Sequence, residues 1–142
     1  MNLTAAEYRD TVARPGTARL ELSFPPSVNN LFPTMGKKRV PSREYTQWRS
    51  LNGWNLKQLK PPKFAGQVNV WIDLIAPDRR RRDAGNYEKA ITDLLVEHGI
   101  IAGDDSRFVK RVSTGWVDGN SPGAVVTITS VEALQNMGEN ND

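Results

Sequence analysis

The sequence of 142 residues predicts an α+β domain in which a small mixed β-sheet is covered by two main helices. Three patterns carry that expectation. Val68, Val70, Ile72, Leu74 and Ala76 alternate at the period of a strand. Tyr87, Ile91, Leu94, Leu95 and His98 recur at the spacing of one helical face. Two further runs rich in β-branched residues follow that helix.

Taken along the chain, residues 1–15 are polar and read as peripheral. Ala18, Leu20, Leu22 and Phe24 then alternate with polar partners as in a half-buried strand, which Pro25-Pro26 ends. The stretch from Ser27 to Arg39 is turn-rich and basic, an irregular loop or loose hairpin. Ser42 is a good helix N-cap, because its hydroxyl can accept from the orphan amides of a first turn. That helix should run to about Lys60, with Tyr45, Trp48, Leu51, Leu56 and Leu59 as its apolar stripe, and stop at Pro61-Pro62. The strand from Gln67 to Ala76 also carries Trp71 and Ile75 on its second face, which predicts a central strand buried largely on both sides. The second helix is expected over about Asn86 to His98, with Gly99 just past its end. The runs Phe108 to Val117 and Ala124 to Ser130, separated by a Gly- and Pro-containing turn, read as a hairpin. Val131 to Asp142 is acidic and suits a short helix or a disordered tail. One domain over residues 1–142 is expected, with 1–15 and 131–142 peripheral.

Composition narrows the chemistry. There is no cysteine, so disulfides, thiolate nucleophiles and cysteine-based zinc sites are excluded, and a metal would need oxygen ligands or the lone His98. No stretch approaches the roughly 18 apolar residues of a membrane span, nor does the N-terminus resemble a secretory leader, so a cytoplasmic protein with no membrane partner is expected. Net charge is +3 but unevenly placed. Lys37, Lys38, Arg39, Arg43, Arg49, Lys57, Lys60 and Lys63 face a single acid, Glu44, and Arg79, Arg80, Arg81 and Arg82 form a second basic focus. Such clustering is the footprint of a phosphate-backbone partner, although a solvated surface accounts for charge alone equally well.

Among these cations stand Asp83, directly after the arginine run, and the pair Asp104-Asp105. Hydrolysis of a phosphodiester needs an activated water, neutralisation of developing charge and a stabilised leaving oxyanion, which Mg²⁺ held by two or more carboxylates can supply. If the intervening helix packs back on the sheet, an aspartate at the end of one strand and one at the start of the next could converge. On the residues alone, Asp83 could equally support a helix N-terminus, and Asp104-Asp105 could be an ordinary turn.

The run Arg79-Arg80-Arg81-Arg82-Asp83-Ala84-Gly85-Asn86-Tyr87-Glu88-Lys89-Ala90, followed by Asp93, Gly99 and Asp104-Asp105, resembles the signature of the RusA family of Holliday junction resolvases: an arginine-led Asp-x-Asp-Asn-x-x-Lys helix and a downstream Asp-Asp. Pro25-Pro26-Ser27-Val28-Asn29-Asn30 is similar to that family's Pro-Pro-Ser-x-Asn segment, and the likeness spans about Leu20 to Ile128. The resemblance implies a RusA-like fold and a homodimer that binds branched DNA at four-way junctions. It would nick them symmetrically with Mg²⁺, Mn²⁺ being a possible substitute, in recombination and repair.

By the same resemblance Asp83 and Asp105 match catalytic, metal-holding aspartates, with Asp104 a neighbouring ligand, and Lys89 matches a lysine that steadies phosphate charge. Arg82 matches a DNA-contacting arginine; Arg79, Arg80, Arg81, Asn86, Lys37, Lys38 and Arg39 complete the expected DNA-binding set. One departure stands out: Gly85 occupies the place of the signature's second aspartate, which removes a carboxylate. Two alternatives therefore accompany the nuclease reading, an inactive junction-binding homologue and a nuclease for other branched DNA. Of the remaining candidates, His98 reads as a helix-end residue, Trp48 and Trp54 as an interface in preference to base-stacking platforms, and Asp73 as exposed or satisfied by a neighbour.

Overall fold

Alternation at Val68, Val70, Ile72 and Leu74 builds the strand on which the rest is assembled, since each of the four is buried to 1% exposure or less. The computed structural model describes residues 16–36 and 38–132; Lys37, the N-terminal stretch and the tail beyond Glu132 lie outside it. In chain order the elements are β1 (Thr17–Leu22), a 3₁₀ turn (Val28–Asn30), β2 (Thr34–Met35), β3 (Lys38–Arg39), α1 (Arg43–Leu59), β4 (Val68–Ile75), a second 3₁₀ turn (Ala84–Tyr87), α2 (Glu88–Glu97), β5 (Val109–Trp116) and β6 (Gly123–Ser130). The domain is α+β, with a four-stranded mixed sheet in the order β1-β6-β4-β5.

Ser42 caps α1 as expected, its hydroxyl accepting from the Tyr45 amide at 3.0 Å. Beyond the last turn, Lys60 takes a left-handed conformation (φ 49°) before Pro61. The loose hairpin is present as the two-residue ladder β2–β3, turned through Gly36 at φ +65°. The second helix starts later than expected, because residues 84–87 wind as a 3₁₀ turn and α2 proper begins at Glu88.

Three expectations need correction. The last two strands do not form a hairpin: β4 lies between them, antiparallel to β6 and parallel to β5. The reason is apolar content. Ala124, Val126 and Ile128 give β6 a fully buried face that belongs between β1 and β4, whereas β5 exposes Lys110 and Arg111 and suits the sheet edge. The connection crosses the end of β4, where the Val117 amide donates to the Leu74 carbonyl at 2.9 Å.

Second, β4 is fully buried on one face and only partly on the other. Its other face presents Asn69, Trp71, Asp73 and Ile75, and Trp71 remains 36% exposed. Both helices pack on the opposite face, where Ala18, Leu20, Ile72, Val126, Ile91, Leu94, Leu95, Tyr45, Trp48 and Leu56 share one core.

Third, the buried stripe of α1 runs through Tyr45, Trp48, Asn52, Gly53 and Leu56, and Leu51 and Leu59 are exposed. Trp48 is a core residue, not an interface, and its indole N–H donates to the Ser23 carbonyl at 2.9 Å. Asn52 is the buried polar residue of the core: its Oδ1 accepts from the Ser23 amide at 3.0 Å, and its Nδ2 donates to the Ser23 hydroxyl at 2.7 Å and to the Trp48 carbonyl at 2.9 Å. This side chain pins the end of β1 to the middle of α1. Asn52→Ala should therefore cost about 2–3 kcal/mol, because it leaves a buried amide unpaired and opens a small void; a urea-unfolding midpoint within error of the wild type would refute the assignment.

Candidate nucleic-acid and metal site

The arginine run forms the loop after β4, and Asp78 organises it. The Asp78 carboxylate accepts from the Arg80 amide at 2.8 Å and from both terminal nitrogens of Arg82 at 2.7 and 3.0 Å. The paired Arg82 guanidinium holds this carboxyl well below the usual carboxylate range. Arg82 is thereby committed: its side chain is 9% exposed and its guanidinium lies 5.8 Å from the centre of the Phe24 ring, over an aromatic group that includes Tyr87 and Trp116. Arg79, Arg80 and Arg81 stay exposed, with Arg80 alone of the three also touching Asp78, at 3.3 Å. Sequence reasoning passed over Asp78, although an acid followed by four arginines is itself a local pairing signal.

Asp83 follows directly, exposed, at the N-cap position of the second 3₁₀ turn, with its carbonyl accepting from the Asn86 amide and its carboxylate making no cap hydrogen bond. Gly85 sits in that turn with an ordinary negative-φ backbone, and a Cβ added there would meet nothing within 4 Å. The position can hold an aspartate; the chain simply has none. Asn86 is half-buried, and Glu88 is tied to β5 by the Thr114 hydroxyl, which donates to its Oε1.

Lys89 lies in the first turn of α2 and its ammonium donates to Asp93 Oδ1 at 3.0 Å. Asp93 first, then the field of Asp104, holds the Lys89 ammonium charged above its ordinary range. Across the helix seam stands Tyr45, whose hydroxyl is pushed up by burial and then by Asp93. Asp93 is a second residue the motif reading did not assign a role.

Asp104 and Asp105 occupy the turn before β5 and are unlike each other. Asp105 accepts from the Arg107 amide at 2.9 Å and from its guanidinium at 3.0 and 2.8 Å, and this pairing holds its carboxyl down at about 2. The Asp105 carbonyl also accepts from the Phe108 and Val109 amides, so the residue closes the turn. Asp104 makes no ion pair among the described residues and is the member of the pair whose field reaches Lys89.

The expected meeting of Asp83 with Asp104-Asp105 involves two loops, the one after β4 and the one before β5. β4 and β5 are parallel, with Val68 beside Val109 and Leu74 beside Trp116. The end of β4 and the start of β5 are therefore at opposite ends of the ladder, separated by about 23 Å at roughly 3.3 Å per residue. Asp83 precedes the turn that carries Tyr87, whose ring packs 5.9 Å from that of Trp116, and the Asp105 carbonyl accepts from the Val109 amide at the start of β5; Lys89, in the first turn of α2, feels the field of Asp104. Among the described residues no three His, Cys, Asp or Glu side chains gather to hold a metal. Lys38 and Arg39 are exposed on β3, with the Arg39 guanidinium 6.0 Å from the Phe32 ring centre, and Lys37 lies outside the described residues.

The sheet, the single helical layer and the basic loops define an α+β domain with exposed cations and carboxylates on the loops that flank α2. The chain belongs to the RusA family: the family model described as Endodeoxyribonuclease RusA matches residues 23–129. It is 33% identical over 100 residues, 67% of this chain and 79% of the relative, to the crossover junction endodeoxyribonuclease RusA of Aquifex aeolicus (strain VF5). It is 28% identical over 116 residues, 80% of this chain and 94% of the relative, to the protein of the same name from Enterobacteria phage HK97. No helix among the described residues is long and apolar enough to cross a membrane.

Proposed function

We propose that the chain is the protomer of a homodimeric, divalent-metal-dependent endodeoxyribonuclease that resolves four-way DNA junctions by paired nicks. The names of the two relatives support the substrate. The observation that carries the reading is that Asp83 and Asp104, on the loops that flank α2, are exposed and make no ion pair among the described residues, with Arg79, Arg80, Arg81 and Lys89 in the same segment. A two-fold axis reverses one protomer relative to the other, so Asp83 can meet Asp104 of the partner subunit twice in an isologous dimer.

The donor set fits Mg²⁺, which is held by oxygen ligands and commonly by only one or two carboxylates plus water and phosphate oxygens. When bound there, such an ion supplies Lewis-acid charge at the scissile phosphate. Asp83 and Asp104 would hold it. Lys89, fixed by Asp93, offers a second positive charge to the phosphate, and Arg79, Arg80 and Arg81, with Lys38 and Arg39, hold the flanking backbone. Asp105, already paired with Arg107, positions the turn that presents Asp104.

The test is cleavage of labelled four-way, three-way and plain duplex DNA at matched salt, with and without Mg²⁺. The four-way junction should be cut in a chelator-sensitive manner and the duplex left intact. Gly85→Asp, which the backbone and the space around it accommodate, should lower the Mg²⁺ concentration for half-maximal rate by about tenfold, the worth of one added carboxylate ligand being about 1.4 kcal/mol. Binding of the junction without cleavage at any divalent-metal concentration would refute the nuclease reading and favour a junction-binding protein.

A further inference from the structure

The seam between α1 and α2 does not end at the Lys89 site. Tyr45 faces Lys89 and Asp93, Arg49 pairs with Glu97 at 3.1 Å, and Gly53 abuts His98, so the two helices run side by side. Along this line the surface opens into a cavity of about 500 Å³ bordered by Ser50, Trp54 and Lys57, and then one of about 370 Å³ bordered by Lys60 and Lys63; Lys57 and His98 line both. Gly53 makes the approach possible, because a Cβ there would lie 2.8 Å from His98 Nε2.

Charge and exposure along the seam are uneven. The acids Asp93 and Glu97 already have partners in Lys89 and Arg49, whereas Lys57, Lys60 and Lys63 are exposed and make no ion pair among the described residues. Trp54, one helical turn before Lys57, is 62% exposed, an unusual cost for so large an apolar ring. From Lys89 to His98 the seam follows about 13 Å of helix, the axial rise of roughly four base pairs of duplex DNA.

We infer that this seam is a second DNA-binding surface, which carries one strand of a junction arm away from the Lys89 site. Its phosphates lie on Lys57, Lys60 and Lys63, and Trp54 rests against a sugar of the arm or stacks on a base unpaired at its end. The chemistry suits that ligand: unpaired ammonium groups attract phosphates by counterion release, and an exposed indole stacks on a base of any sequence. The inference rests on the reading of the chain as a DNA-processing enzyme but not on its catalysis, so binding is measured in chelator, where no cutting occurs.

The probe is a fluorescently labelled four-way DNA junction titrated over a series of NaCl concentrations. Lys57→Gln/Lys60→Gln/Lys63→Gln should weaken binding at least tenfold and reduce the slope of log K against log salt by about three, one for each lost phosphate contact. Trp54→Ala should weaken it by about tenfold with the slope unchanged. Lys57→Arg/Lys60→Arg/Lys63→Arg should bind as the wild type does, which separates lost charge from lost folding. Wild-type affinity and slope in the glutamine variant would overturn the inference, as would sedimentation showing that the loss merely follows dissociation of a dimer through this face. A wild type that never cuts, with the triple variant still defective in binding, would count against the nuclease reading alone.

Discussion

Asp83→Asn and Asp104→Asn should each lower junction cleavage by about 10³-fold, since losing one of two carboxylate ligands removes both metal affinity and its charge at the phosphate. Asp105→Asn should retain activity within about tenfold, because its carboxylate is spent on Arg107 and the turn keeps its backbone hydrogen bonds. The decisive measurement is a mixture. If Asp83 meets Asp104 of the partner subunit, a dimer of one Asp83→Asn chain and one Asp104→Asn chain has one site with both defects and one intact. Random mixing of the two inactive proteins should then recover about a quarter of the wild-type sites and yield single nicks, not paired cuts. A mixture as inactive as its components would defeat the shared site. A readout independent of catalysis comes from the absence of native cysteine: in Asp83→Cys/Asp104→Cys, oxidation should link two chains on a non-reducing gel. A disulfide closed within a single chain would contradict the separation of the two ends of the ladder.

Lys89→Met should reduce the cleavage rate by about 10²–10³-fold while leaving junction binding in chelator little changed, as expected for a charge that acts on the developing transition state. Its pH dependence has a definite sign. Asp93 raises the pKa of Lys89 above its ordinary 10.5, so the ammonium is fully present at lower pH and is lost only as pH rises through the raised value. The wild-type rate should therefore show no alkaline fall attributable to Lys89 below 10.5. In Asp93→Asn the fall should move to lower pH. Asp105 titrates at the other extreme: its carboxyl is held at about 2, and the Arg107 pair present above 3.8 weakens only as pH drops towards that lower value. An acid limb near neutrality in the wild type must then belong to another group, and one that vanished specifically in Asp105→Asn would contradict the pairing.

Much of the fold could be read from the residues because its signals are local. The period of two in Val68 to Leu74, the Ser42 cap, the Pro61-Pro62 stop and the helical face of Ile91, Leu94 and Leu95 each depend on neighbours within a few positions. The α1 stripe was misread at Leu51 for a related reason. Hydrophobicity alone points to leucine, yet Asn52 is buried because β1 ends where Ser23 can satisfy its amide, a pairing of residues 29 positions apart. The hairpin expected between β5 and β6 failed likewise: adjacency in sequence favours pairing, but only the assembled sheet fixes which strand takes the buried centre.

The identities of the chemical groups, by contrast, were settled by the sequence: carboxylates and no thiols, arginines ahead of Asp83, Lys89 six positions on, and Gly85 where a third acid could stand. Tertiary structure decided which of them are paired. Arg82 is held by Asp78 and Asp105 by Arg107, while Asp83 and Asp104 make no ion pair among the described residues. It also decided where they stand, because a helix connecting two parallel strands returns the chain to the end it started from. That geometry sets the end of β4 and the start of β5 a strand's length apart, a separation that no spacing along the sequence encodes.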